Sequence, residues 1–399
     1  MTPKTRLLTP GPTLLPETVR LTLAMDMVHH RKPGFTALLG EIQAGLRWLF
    51  GTAQPVVAMG CSGTGAMTAA VGNLFAPGEQ VLVVEGGKFG ERWTEIAGAH
   101  GLDTVILSVP WGQAVTVEHV QKALAQHPGV KGILVQASET STGVLHPVRE
   151  LAAFTRERDL MLVVDGISAV GISPCPMDAW GIDCLLTGSQ KGLMLPPGLA
   201  FVALSARAWE RVERVNPRHY YFNLRGERDK ITGSSQTLFT PPINLLMGLH
   251  TCLELFRETT LEGVFRHQWA LTQMARTGAR ALGLELLAKD HFTWGLTSIL
   301  LPAGVDGARL LQAAAERYGV VMAGGQGQLK GRMVRLGHMG HVDFGDVLAG
   351  LAALAGALAL TGGHSGSRDH LEQAMAAYEQ ALEDGPPAWA MDDHNPTQE

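Results

Sequence analysis

Charge is scarce in this sequence. Of its 399 residues, 17% are Asp, Glu, Lys or Arg, and the net charge is −5. The basic residues are scattered, so there is no stripe of the kind that binds nucleic acid. Cysteine is rare as well. Cys61, Cys175, Cys184 and Cys252 form no CxxC pair and no Cys/His cluster, which argues against a zinc site. Reduced, buried thiols in a cytoplasmic protein are the plain reading. No apolar run approaches the ~20 residues that span a membrane. The opening stretch, MTPKTRLLTPGPTLLP, lacks the apolar core of a signal peptide, so export is not expected. What the chain does have is a 46% hydrophobic fraction, suited to a large buried core. Its length suggests one large and one smaller domain.

From about residue 55 to 205 the sequence alternates short apolar runs with helical patterns. The runs are PVVAM (55–59), QVLVVEG (80–86), DTVILSV (103–109), VKGILVQAS (130–138), LMLVVDG (160–166), CLLTGSQ (184–190) and LAFVALS (199–205). Strands that are apolar throughout and alternate with helices predict an α/β fold with a mainly parallel sheet covered on both faces. Ligands of such sheets sit beyond the carboxyl ends of the strands. A second region, roughly 255–360, mixes helices (275–287 and 345–360) with strand-like runs (297–303 and 332–338) and reads as a smaller α+β domain. GGHSGS (362–367) reads as a flexible connector, residues 369–383 as a surface helix, and 384–399 as disordered.

Four places could carry chemistry. Lys191 follows the apolar run CLLTG within Ser189-Gln190-Lys191. Lysine is rarely buried without a role, and burial would give it the depressed pKa of an imine former. The plain alternative is an exposed lysine at a loop start. Asp165 ends another apolar strand, where an acid needs a partner; a pyridinium nitrogen is one, a helix cap another. Gly60-Cys61-Ser62-Gly63-Thr64-Gly65 opens a helix, where backbone N–H groups can approach a phosphate. It is neither a P-loop nor a Gly-x-Ser-x-Gly elbow, and a tight strand-to-helix turn is the alternative. Arg335 could hold a carboxylate through two parallel hydrogen bonds, or simply face solvent.

Taken in order, these pieces resemble the class V aminotransferases, fold type I enzymes dependent on pyridoxal 5′-phosphate (PLP), in the alanine–glyoxylate and serine–glyoxylate or serine–pyruvate branch. The resemblance runs from about Leu7 to Leu360. It rests on Leu8-Thr9-Pro10-Gly11-Pro12-Thr13, His29-His30-Arg31, Ser62-Gly63-Thr64-Gly65, Glu139-Thr140-Ser141-Thr142-Gly143-Val144 and Val164-Asp165-Gly166-Ile167-Ser168. Gly188-Ser189-Gln190-Lys191, Pro196-Pro197-Gly198 and Arg335-Leu336-Gly337 complete it. It implies a large PLP-binding domain over 15–254 with a seven-stranded sheet, and a small domain from 1–14 and 255–361. The remaining 362–399 would be linker, helix and tail.

By the same resemblance Lys191 is the Schiff-base lysine and Asp165 the acid at the ring nitrogen. Ser62, Gly63, Thr64 and Gln190 bind the phosphate. Phe89 stacks on the ring and Thr140 lies near the ring oxygen. Thr240 reaches the phosphate of the neighbouring subunit, and Arg335 takes the substrate carboxylate. A homodimer with shared sites follows. The sequence departs from the family pattern at Thr64, where close relatives carry histidine, at Phe89 in place of tryptophan, and at Thr237 in place of tyrosine. His338 and His341 read as structural or solvent-facing rather than as a metal pair. The implied reaction moves an amino group from alanine or serine to glyoxylate or pyruvate. Phosphoserine or aspartate transamination, a lyase or desulfurase of the same fold, or a non-catalytic partner subunit are the alternatives.

Overall fold

The computed structural model describes residues 4–215, 219–363 and 367–390. The seven apolar runs form one seven-stranded sheet. Its order is Val56–Met59, Ala200–Leu204, Cys184–Gly188, Met161–Asp165, Val130–Gln136, Gln80–Glu85 and Asp103–Ser108. Ala200–Leu204 runs antiparallel to both neighbours, and every other pair is parallel. Met161–Asp165, Cys184–Gly188 and Ala200–Leu204 are buried at every position, because helices cover both faces. Leu162 and Val164 turn to one apolar cluster, with Leu39, Leu151 and Leu249. Val163, between them, turns to the other, with Met67, Trp93 and Trp209. The period of two sets the face each side chain meets, while the shared direction of the parallel strands brings their carboxyl ends, Asp165 among them, to one edge of the sheet.

A second sheet takes the order Arg6–Leu8, Val320–Gly324, Met333–Gly337 and Leu296–Leu300. Its first strand comes from the start of the chain and pairs in parallel with Val320–Met322. Leu8, Ile299, Val334 and Leu336 pack here against Leu351 and Leu354 of the helix Phe344–Leu360. The helix Ile243–Thr259 runs without a break through 254 and 255, where a domain boundary was expected. The chain turns only at Thr260, whose φ is 65° and whose hydroxyl caps the next helix, Leu261–Ala281, by accepting from Gly263 N.

Two expectations differ from the structure. The helix expected over 275–287 ends at Ala281, because Gly283 adopts a left-handed φ of 76° and Leu286 then bridges to Ile299. Disorder does not begin at residue 384. The helix His370–Asp384 packs on Leu261–Ala281 and continues into a short turn, Ala388–Ala390. There the Trp389 ring lies edge-on to Trp294 at 6.4 Å, and its carbonyl accepts from Arg149. Residues 364–366 of the expected connector, and 391–399 of the expected tail, lie outside the described residues. No helix among the described residues is long and apolar enough to cross a membrane.

Candidate active site

The parallel strands end at one edge of the sheet, and the loops beyond them enclose a cavity of about 130 Å³. Eight residues singled out in the sequence line it: Ser62, Gly63, Thr64, Phe89, Thr140, Asp165, Gln190 and Lys191. A larger cleft of about 840 Å³, between the N-terminal segment and residues 340–346, contains none of them.

Lys191 stands three residues beyond the strand Cys184–Gly188. The turn between is fixed by Ser189, whose hydroxyl donates to Pro196 O at 2.6 Å while accepting from Leu199 N. The N-terminal segment closes over the lysine. Thr13 N donates to Gln190 O, Thr13 Oγ1 donates to Lys191 O, and Lys191 Nζ donates to the Pro10 carbonyl. Gly11 has φ of 107°, and a methyl group there would come within 2.7 Å of Lys191 Nζ, so only glycine fits. Burial, helped by the Arg335 charge, pushes the Lys191 amine down to about 8.

Asp165 ends the buried strand beside it. Its Oδ1 accepts from Ile167 N at 2.8 Å. Burial pushes its carboxyl up to about 7, and the charge of Glu139 adds to this. A cation against this carboxyl would restore its ionised form, and a protonated pyridine nitrogen is such a cation.

Across the cavity two helices present their first turns. Gly63–Leu74 begins at Ser62, whose side chain makes no capping hydrogen bond, so its first N–H groups remain available to an anion. Gln190 Oε1 is buried with no hydrogen-bond partner among the described residues. Lys88–Ala99 is capped from outside by Glu139. That carboxylate accepts from Phe89 N at 3.1 Å, Gly90 N at 3.0 Å, and both Ser141 N and Oγ. Burial raises the Glu139 pKa and these four donors oppose it. Glu139 thus fixes Phe89 at the cavity wall.

Arg335 is buried on Met333–Gly337 but does not line the cavity itself. Its Nη1 donates to Thr140 O and its Nε to Gly324 O, both at 3.0 Å, which places the guanidinium directly behind Thr140. Thr240 lies in a separate crevice with Tyr221, Phe239 and Pro241. His338 is not exposed. It is buried between Gln268 and Thr297, which pushes its imidazole down to about 3. His341 lines the larger cleft.

The sequence reading missed Arg92 and Ser138 and gave no role to Ser168 of the Asp165 motif; all three also line the cavity. Ser168 accepts from Thr140 Oγ1 at 2.9 Å. Arg92 follows Phe89 by three residues on one helix, and that spacing was the signal available.

An amine that gives up its proton more readily than a free lysine, a carboxyl in want of a cation, an uncapped helix start and an aromatic wall fit a phosphorylated pyridine aldehyde. Lys191 would hold its aldehyde carbon, Asp165 its ring nitrogen, Phe89 its face, and Ser62, Gly63, Thr64 and Gln190 its phosphate. Comparison with known proteins points the same way. A family model described as aminotransferase class-V matches residues 20–344. The soluble hydrogenase small subunit of Synechococcus sp. (strain PCC 6716) is 37% identical, over 91% of this chain and 95% of its own. The serine–glyoxylate aminotransferase of Methylorubrum extorquens is 32% identical, over 89% of this chain and 90% of its own. Among solved structures, an aspartate aminotransferase from Thermus thermophilus superposes with a TM-score of 0.83 at 37% identity, covering 89% of this chain and 99% of that one. The chain therefore belongs to the class-V aminotransferases, a family of PLP enzymes.

Proposed function

We propose that this enzyme carries PLP on Lys191 and moves an amino group from a small amino acid, alanine or serine, to glyoxylate or pyruvate. The observation that carries the reading is the convergence of Lys191, Asp165 and the uncapped helix start on one cavity. The serine–glyoxylate relative supports the choice of substrates. The bound cofactor supplies an electron sink for the bond broken at the substrate Cα. With the cofactor bound, Lys191 would be the amine placed to take the substrate Cα proton and to deliver it to the cofactor's former aldehyde carbon. Asp165 holds the proton on the ring nitrogen, and Arg335 orients the substrate carboxylate beside Thr140. The enzyme works, on this reading, as a cytoplasmic homodimer in which Thr240 serves the neighbouring site. Aspartate as donor is the second reading, favoured by the likeness to the Thermus thermophilus aspartate aminotransferase.

The test is direct. Borohydride reduction followed by peptide mass spectrometry should find the cofactor fixed on Lys191, and a screen of amino donors against glyoxylate, pyruvate and 2-oxoglutarate should name the substrates. An adduct on another lysine would overturn the assignment.

Two further outcomes are expected. Attachment needs the neutral amine, so capture of cofactor by the cofactor-free protein should accelerate with pH and level off above about 8. A rate still climbing tenfold per pH unit at pH 9.5 would mean that Lys191 titrates like an exposed lysine. Arg335→Ala should raise KM for amino acid and keto acid alike by about tenfold or more, since a charge-assisted pair to the carboxylate is lost. The cofactor should stay bound on Lys191. Equal loss for amines that lack a carboxylate would assign the effect to a damaged fold instead.

A further inference from the structure

We propose that Arg92 is a ligand of the cofactor phosphate, supplying the positive charge that the phosphate turn itself lacks. This rests on the PLP reading above. Arg92 stands on the helix Lys88–Ala99, one turn beyond Phe89, so both side chains share the face that meets the cavity. Its guanidinium carbon lies 4.9 Å from the centre of the Phe89 ring, a cation–π contact that keeps the head group on the cavity side of the helix. Its Nη1 donates to Thr64 Oγ1 at 3.3 Å, in the first turn of the helix that opens the phosphate site. A guanidinium has five N–H donors in a fork that matches phosphate oxygens, and this contact uses one of them.

Charge balance argues the same way. Of the residues lining the cavity, Lys191 and Arg92 are the cations and Asp165 the anion. Lys191 is committed to the aldehyde carbon and Asp165 to the ring nitrogen. A phosphate monoester brings between one and two negative charges at neutral pH, against roughly half a positive charge from the helix start. Ser62 and Thr64 offer hydroxyls but no charge. Thr64 also occupies the position where close relatives carry histidine, a side chain that could bring charge of its own. Arg92 is the cation placed to compensate, and its hydrogen bond to Thr64 puts it at the phosphate end of the cavity.

The experiment separates the phosphate from the ring. Full-length protein freed of cofactor is titrated with PLP and with pyridoxal, which has the same ring and aldehyde but no phosphate. Wild type, Arg92→Gln and Arg92→Lys are compared, with thermal unfolding as a check on folding. Arg92→Gln should weaken PLP binding by about 10- to 100-fold and leave pyridoxal within about twofold. Arg92→Lys should recover part of the loss, because an ammonium keeps the charge without the fork. Inorganic phosphate should raise the melting temperature of wild type more than that of Arg92→Gln. Equal losses for PLP and pyridoxal would overturn the proposal and assign Arg92 to positioning Phe89. So would PLP binding that the substitutions leave unchanged. Should Arg92→Gln fail to fold, Arg92→Met takes its place as the charge-removing variant, and PLP binding and phosphate stabilisation equal to those of wild type would overturn the proposal. Wild type that bound PLP no better than pyridoxal, with no adduct on Lys191, would instead remove the cofactor reading itself.

Discussion

Lys191→Ala should lower the rate of amino transfer by about 10⁴-fold or more, the full worth of a positioned base, with a further loss from the missing covalent anchor. No second side chain lining the cavity offers an amine. On the proposed reading Asp165 is committed to the ring nitrogen, and the hydroxyls of Ser138, Thr140 and Ser168 are weak bases at neutral pH. The phosphate turn is untouched by the substitution, so the variant should still bind cofactor, now without a bond that borohydride can fix. Stopped-flow mixing with an amino acid would show the substrate joining the cofactor, followed by an arrest before the proton moves. A small external amine should restore part of the rate, since it can enter the space that the side chain leaves. Residual turnover within a hundredfold of wild type would place the base elsewhere.

Asp165→Asn should act in two opposite directions. Turnover should fall by about 10²–10³-fold, because an amide cannot hold a proton on the ring nitrogen and the charge developing there goes unanswered. The cofactor-free protein should meanwhile become more stable at neutral and higher pH. The Asp165 carboxyl has its folded pKa raised to about 7 from an unfolded value of 3.8. Its neutral form therefore favours folding fully below pH 3.8, and that contribution is lost as the pH rises through about 7. Asparagine stays neutral and loses nothing. Melting curves of the two cofactor-free proteins should nearly coincide at pH 4 and separate by pH 8, with the variant higher. A variant less stable than wild type at pH 8 would show that Asp165 is held by a partner in the resting protein. The site thus trades stability for reactivity at a single carboxyl.

The parts of the site that the sequence revealed are those where local chemistry conflicts with its surroundings. Asp165 and Lys191 are charged residues attached to strands that are otherwise apolar, and such conflicts concentrate at functional sites. The sheet was legible for the same reason, since its strands are continuous apolar runs. Direction was not. Ala200–Leu204 is as apolar as its neighbours, and burial on both faces erases the alternation that distinguishes many antiparallel strands. Arg92 escaped because KFGERWTE reads as an ordinary charged helix face, with Lys88 and Glu91 paired on it. Which side of that helix meets the cavity depends on Trp93 being fully buried in the sheet, a fact of packing rather than of pattern. Glu139 was visible as part of a motif, but its hold on Phe89 and Gly90 crosses about fifty residues of chain. Trp389 was read as tail because the surrounding prolines and acids suggested disorder, and the Trp294 ring that receives it lies far off in sequence.

The strand Arg6–Leu8 and the Pro10 carbonyl that meets Lys191 bear on how the molecule is made. Leu8 has no sheet partner until Met322 exists. At a synthesis rate of about 5–20 residues per second, the first strand leaves the ribosome on the order of 15–60 s before the strand it joins. In that interval the Lys191 turn can form on the large sheet, while the strand that anchors its N-terminal cover is still without a partner. A nascent chain could therefore take up cofactor before the second sheet closes, with the N-terminal segment laid over an already occupied site. An extension at the N-terminus would be carried on a segment that docks late.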